Sequence, residues 1–331
     1  MNTIKFSSIY DLKKETNNVE VYDIKKININ GKEYKYYSNA QMSLYVTKKC
    51  NANCGFCMNK YEKRFCKALE LDDSNYLKAL NNVLDTLKLV NPPITITGGE
   101  PTKSMRLVPI LRLINNKGYR FRTFSTNGTG LLDRYEGKTI LSHILENNAI
   151  NNINISRMVI DDENNKKIMR INQSNELIRK VFTFGKINNM DMRLSCSLQK
   201  GGVENLNDIL EYNDYYEKIG IDTIIFRELI PINNCRKEYN DSIIKIDKIF
   251  ESIKNDSRFK YIKTLDGMYY NVYIYRYKDK LVKCYQEKRD LGKKIDDDII
   301  REFVFYPDGN LDSGWNKEDG IILRSESECN E

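Results

Sequence analysis

Apolar positions change period several times along the chain, and each change marks an element. Tyr22 to Asn28 and Lys32 to Tyr37 alternate as two strands about Asn30-Gly31, the strongest short signal for a two-residue hairpin. A further strand is expected over Met42 to Thr47, followed by a loop with three cysteines. After the polar start Asp72-Asp73-Ser74, residues Tyr76, Leu77, Leu80, Val83, Leu84 and Leu87 recur at three- and four-residue spacing. That pattern predicts a helix with one buried face.

The alternation then repeats. Short strands are expected at Ile94 to Thr97, Arg120 to Ser125, Ile153 to Ser156, Met192 to Leu198 and Thr223 to Arg227, with helices at Leu107 to Asn116, Ser174 to Lys186 and Asn205 to Lys218. Strands alternating with helices imply parallel strands joined by right-handed crossovers. The fold class is therefore α/β, a partial or complete β/α barrel, with ligands expected at the carboxyl ends of its strands. After about Asn240 the pattern becomes one helix, Ser242 to Asn255, and strands at Tyr261 to Lys263, Tyr269 to Tyr277, Leu281 to Tyr285 and Glu302 to Tyr306, with a turn at Pro307-Asp308-Gly309-Asn310. The expected division is a hairpin extension over 1–40, a barrel over 41–240 and a small α+β cap over 241–331. No internal repeat is evident, and the richness in Asn and Lys reads as compositional bias.

Composition adds exclusions. The 331 residues are 40% hydrophobic and 30% charged, a globular mixture incompatible with collagen, wholesale disorder or a multispanning membrane protein. The net charge of +7 tolerates anionic partners, yet nucleic-acid-binding domains are usually more basic, so a nucleic-acid partner is not expected. With no signal-like N-terminus and no long apolar run, a cytoplasmic protein without a membrane partner is expected. Eight cysteines against one histidine rule out two-histidine zinc and iron motifs. His143, in Leu-Ser-His-Ile-Leu on an expected helix, reads as a packed or surface residue. In a reducing compartment a tight cysteine group holds a metal or does redox chemistry.

That group is Cys50-Asn-Ala-Asn-Cys54-Gly-Phe-Cys57, directly after a strand. Three thiolates on one loop can each bind one iron of a [4Fe–4S] cube and leave the fourth open. On spacing alone, zinc and unligated thiols also remain open. The next strand ends in Gly98-Gly99-Glu100-Pro101-Thr102, where glycines let a backbone approach a ligand and a carboxylate can bind an ammonium group. A plain strand-to-helix turn is the alternative.

Together the C-x3-C-x2-C loop and the GGEP strand end resemble the radical S-adenosylmethionine (SAM) enzymes over about residues 41–230. The resemblance implies a partial (β/α)6 barrel, a [4Fe–4S] cluster on Cys50, Cys54 and Cys57, and SAM on the open iron. It also implies a 5′-deoxyadenosyl radical that abstracts hydrogen from, or adds to, a small-molecule or nucleotide substrate, with a ribosomal peptide or protein as the alternative. A non-enzymatic iron–sulfur electron carrier or sensor is a third reading. By similarity Phe56 lies against the adenine, Gly98, Gly99 and Glu100 meet the methionine ammonium, and Ser125 and Thr126, before Asn127-Gly128, face the pocket. Ser156 reaches the ribose or carboxylate, Arg170 (or Arg157) pairs with the carboxylate from the following helix, and Ile230 packs on adenine. Arg193, Ser195 and Ser197 share one face of their strand and, with Arg227, are candidate substrate contacts.

Lys48, Lys49, Lys60, Lys63, Arg64 and Lys67 surround the loop and suit either an acidic flavodoxin- or ferredoxin-type reductant or a solvated surface. In layout the chain is similar to the molybdenum-cofactor GTP cyclase and SPASM-twitch group. It departs from that group in two places. Cys235, Cys284 and Cys329 lack the spacing of an auxiliary cluster, Ser313 standing where many relatives have a cysteine, and Thr95 stands where the cyclases have an arginine. Cys66 and Cys196 read as ordinary thiols.

Overall fold

A computed structural model describes residues 23–119, 122–147, 150–231, 237–266, 270–287, 298–315 and 320–325. The N-terminal hairpin pairs β1 (Ile24–Ile29) with β2 (Lys32–Tyr45). Asn30 and Gly31 turn at φ 52° and 82°, both in the left-handed region that a type I′ turn requires. Tyr22 and the residues before it lie outside the described residues. The expected separate strand at Met42 is instead the continuation of β2, one strand of 14 residues.

Next come α1 (Lys63–Lys67), α2 (Asp73–Thr86), β3 (Ile94–Thr97), α3 (Leu107–Asn116), β4 (Arg122–Thr126), a two-residue hairpin pair β5 (Arg134–Tyr135) and β6 (Lys138–Thr139), α4 (Ile140–Glu146), β7 (Asn152–Ser156), α5 (Asp162–Met169), α6 (Asn175–Ile187), β8 (Asp191–Leu198), α7 (Leu206–Lys218) and β9 (Thr223–Glu228). Polar caps start the helices where the sequence places them. Asp72 accepts from the Asn75 amide, Ser174 from Leu177 and Asn205 from Asp208, each satisfying a donor the helix itself leaves open.

Strands β2, β3, β4, β7, β8 and β9 are parallel neighbours in that order, the partial (β/α)6 barrel. The rest of the chain is α8 (Lys237–Ser242), α9 (Asp247–Asn255), β10 (Phe259–Asp266), β11 (Tyr270–Tyr277), β12 (Lys280–Glu287), β13 (Ile299–Phe305), β14 (Leu311–Asp312) and β15 (Ile321–Leu323). It extends the same sheet at both edges. β12 lies parallel to β9, followed by β11 and β10, while β13 lies parallel to β2, followed by β14 and β15.

The expected helix at Ser242–Asn255 is shorter, α9 from Asp247, and a separate α8 ends where it was expected to begin. The Ser242 carbonyl accepts from the Lys200 amide at 2.9 Å, which diverts it from a helical partner, and buried Ile246 restarts the chain as α9.

The barrel strands bury their apolar residues outward. Ile94, Ile96, Phe124, Ile153, Ile155, Leu194 and Leu198 join the main core with the helices. The opposite face carries Thr95, Thr97, Thr123, Ser125, Asn154, Ser156, Ser195 and Ser197, all half-buried. A (β/α)8 barrel normally fills its interior with branched apolar side chains; a polar, incompletely buried lumen is the wall of a ligand cavity.

Candidate functional site

The cysteine loop leaves β2 at Val46 and is pinned at once to the next strand. The Val46 amide donates to the Thr97 carbonyl at 2.9 Å, Gly99 to Thr47 at 2.8 Å and Glu100 to Lys49 at 2.8 Å. The β2–β3 ladder thus continues past both strands. A Cβ on Gly98, at φ 141°, would stand 2.8 Å from the Thr47 carbonyl oxygen, and one on Gly99 would overlap the Lys49 carbonyl. The close approach that requires these glycines is therefore to the cysteine loop itself.

Amides hold the loop from the other side. Asn59 donates to the Gly98 carbonyl at 2.7 Å and accepts from the Tyr45 hydroxyl at 3.1 Å. Asn51 accepts from Asn127 at 2.9 Å and donates to the Thr129 hydroxyl at 3.0 Å. Lys60 donates to the Asn53 side chain and to the Cys54 carbonyl, both at 2.6 Å. Gln173 donates to the carbonyls of Asn127 and Ser156 at 2.5 and 2.8 Å, tying the ends of β4 and β7. Sequence reasoning passed over Asn51, Asn59 and Gln173. The only available signal was the Asn richness, which looked like bias.

Cys50 is exposed and Cys54 and Cys57 are half-buried. Burial raises all three thiol pKa values, Cys54 to about 12; Cys50 also feels Cys57, Cys54 feels both others, and Cys57 feels Cys66. Among the described residues no three His, Cys, Asp or Glu side chains converge on one metal ion, the arrangement a mononuclear zinc site needs. A cube takes one thiolate per iron, and three soft sulfur donors on one loop fit a cluster with one open iron. An N–H at Cys50 Sγ, from Ala52 at 3.3 Å, is the kind of contact that tunes such a cluster.

Glu100 is buried. Its carboxylate accepts from the Thr102 amide and hydroxyl at 3.0 and 2.6 Å, the Thr126 hydroxyl at 2.6 Å and the Asn127 amide at 2.7 Å. Burial raises its pKa while these donors oppose the rise. Thr126 is thereby spent within the turn. The Ser125 and Ser156 hydroxyls, half-buried, have no protein hydrogen-bond partner among the described residues.

Phe56 packs against the cluster of Met158, Met169 and Ile171. Arg170 is not on a helix but ends α5 in the left-handed conformation, φ 55°, where it donates to the Asn53 carbonyl at 3.3 Å and pairs with Glu238 of α8. Arg157 is fully buried, bound to the carbonyls of Val159, Ile160 and Gln173 and to Asp162. Half-buried Ile230 accepts the Tyr239 hydroxyl on its carbonyl at 2.7 Å. Arg193 is buried against Asp191 at 2.5 Å, whereas Ser195 accepts from Arg227 at 3.3 Å and Ser197 stands in register beside Arg227.

Part of the basic ring is structural. Lys48 donates to the carbonyls of Cys66 and Ala68, and Arg64 pairs with Asp308 and Asp312. Lys49 and Lys67 are exposed. His143 is buried, its Nε2 2.7 Å from the Tyr135 carbonyl oxygen, and Cys196 and Cys284 lie in the core. Cys235 and Cys329 lie outside the described residues. No helix among the described residues is long and apolar enough to cross a membrane.

Comparison with known proteins agrees with this geometry. The profile of the Radical SAM superfamily matches residues 44–191. A probable GTP 3',8-cyclase of Saccharolobus islandicus is 24% identical over 230 residues, 67% of this chain and 68% of that one. The GTP 3',8-cyclase of Limosilactobacillus fermentum is 24% identical over 210 residues, 63% of this chain and 60% of that one. The crystal structure of Streptococcus suis SuiB bound to S-adenosylmethionine superposes with a TM-score of 0.56 at 14% identity, over 83% of this chain. The chain spans 60% of that longer protein, and at this distance the likeness is one of fold.

Proposed function

Because the profile of the Radical SAM superfamily matches residues 44–191, we propose that the chain is a radical SAM enzyme acting on a small molecule or nucleotide held in the polar barrel lumen. Cys50, Cys54 and Cys57 would hold a [4Fe–4S] cluster, with SAM beside Gly98-Gly99-Glu100. Bound there and reduced by an external one-electron donor, the cluster and SAM would supply radical chemistry, cleavage of the C5′–S bond to methionine and a 5′-deoxyadenosyl group that would take hydrogen from, or add to, a substrate carbon. The protein's share is binding, orientation and exclusion of water.

The observation that carries this reading is the backbone lock of the three-thiol loop onto the Gly98–Glu100 strand end, directly above a lumen of hydroxyls and amides. Ser125 and Ser156 offer hydroxyls with no competing protein partner among the described residues, and Phe56 and Ile230 are the side chains proposed to meet the adenine. Glu100 would receive the methionine ammonium on Oε2, which takes only the Asn127 amide. Exposed Lys49 and Lys67 suit an acidic flavodoxin- or ferredoxin-type reductant. The curated relatives support a nucleotide, although Thr95 in place of an arginine argues against GTP.

Protein reconstituted anaerobically with iron and sulfide, then reduced with dithionite, should convert SAM to 5′-deoxyadenosine and methionine. The Cys54→Ser variant should make neither. No 5′-deoxyadenosine from the wild-type protein would overturn the reading.

A further inference from the structure

We propose that Arg227 is the substrate's anion receptor and that the substrate is a small molecule carrying a carboxylate or phosphate. The proposal rests on the lumen being the substrate site. Ser197, Arg227 and Tyr285 are register partners on β8, β9 and β12, one layer at the carboxyl ends of three parallel strands. The Arg227 guanidinium lies 4.2 Å from the Tyr285 ring centroid, and its Nε donates to the Ser195 hydroxyl at 3.3 Å. Stacking fixes the plane of the fork, and the Nε bond uses up one side of it. What remains is the Nη1/Nη2 edge, half-buried and with no protein partner among the described residues.

Four other arginines, buried or half-buried, each have a carboxylate partner. Arg64 has Asp308 and Asp312, Arg106 has Asp73, Arg157 has Asp162 and Arg193 has Asp191. Arg227 has no carboxylate partner among the described residues. A partly desolvated, pre-oriented guanidinium without a counter-ion is stabilised most by a planar or tetrahedral oxyanion that accepts two parallel N–H bonds.

Two neighbours favour the same ligand. The Tyr270 ring lies 6.1 Å from that of Tyr285, and its half-buried hydroxyl has no hydrogen-bond partner among the described residues. Burial pushes its pKa up to about 12, Arg227 opposing and the carboxylates of Glu287, Glu302 and Glu228 adding to the rise, so it stays a donor. Lys283, buried one layer below in register with Ile225, adds a second basic side chain to this wall.

The test is calorimetric titration of inorganic phosphate, and separately of glutarate, into the full chain without reductant. One of the two should saturate a single site, and which one does so names the class. Arg227→Gln should weaken it about tenfold or more, the value expected for one charge-assisted contact. Arg227→Lys, a point charge without the fork, and Tyr285→Leu, which removes the platform, should fall between. Lys26→Gln, at an exposed surface pair, should bind as wild type. Wild-type protein that binds neither anion, or Arg227 and Tyr285 variants that bind as wild type, would overturn the proposal. SAM cleavage is read separately on the wild-type protein. Its absence with anion binding intact removes the proposed function and leaves this anion site standing, and the reverse result removes only the anion site.

Discussion

Lys280 begins β12 with its Nζ buried and 2.6 Å from the Asn213 carbonyl oxygen of α7. Burial pulls its pKa down from 10.5 to about 8. Between those values the unfolded chain holds a proton that the folded one has released, so stability rises with pH across that window and the penalty is fully present below it. Relative to Lys280→Met, the wild type should therefore gain stability from about pH 8 to pH 10.5, measured by urea denaturation at each pH. A constant difference would refute the assignment. At this scale legibility followed locality. Cys50, Cys54, Cys57 and Gly98–Glu100 lie in short motifs and were readable. Asn59 and Gln173 were not, because a single amide acquires its role only from the loop that folds opposite it. Arg170 was read as a helix residue, and its left-handed φ depends on where α5 stops.

Among the elements, the stretch after the cysteine loop is fastened to the β13–β14 turn. Glu62 caps α1 at the Phe65 amide and accepts the Tyr306 hydroxyl at 3.1 Å. Arg64 lies over the Tyr306 ring, 4.7 Å from its centroid, and bridges Asp308 and Asp312 at 2.5 and 2.9 Å. Arg64→Met would leave two buried carboxylates facing each other, and such a broken pair costs about 3–5 kcal/mol. A urea midpoint shift equivalent to less than about 1 kcal/mol would show the bridge to be dispensable. Helices α2, α6 and α7 were legible because their caps and apolar stripes are local, and α3 by its apolar stripe alone. The split between α8 and α9 was not, since it depends on Lys200, some 40 residues away along the chain.

For the whole molecule, the alternating pattern was enough to indicate the barrel, but not that residues beyond 240 supply both outer edges of its sheet. Pairing partners of a strand are not written in its period, and β13 reads like any short apolar strand until β2 is found beside it. Cutting the chain after Glu287 should expose the β2 edge and release Arg64, so the fragment should precipitate or fail to retain iron where the full chain does not. A soluble fragment with full iron content would contradict this.

Ser43 and Glu302, 2.5 Å apart, are separated by 259 positions. Contacts so distant along the chain close late and make folding slow. On the ribosome β2 gains its neighbour β13 only after residues 298–305 have been made. The partners of Glu62 and Arg64, Tyr306, Asp308 and Asp312, come later still, so the stretch after the cysteine loop is fastened only once they have been made, whereas the loop itself can already be held by Gly98–Glu100.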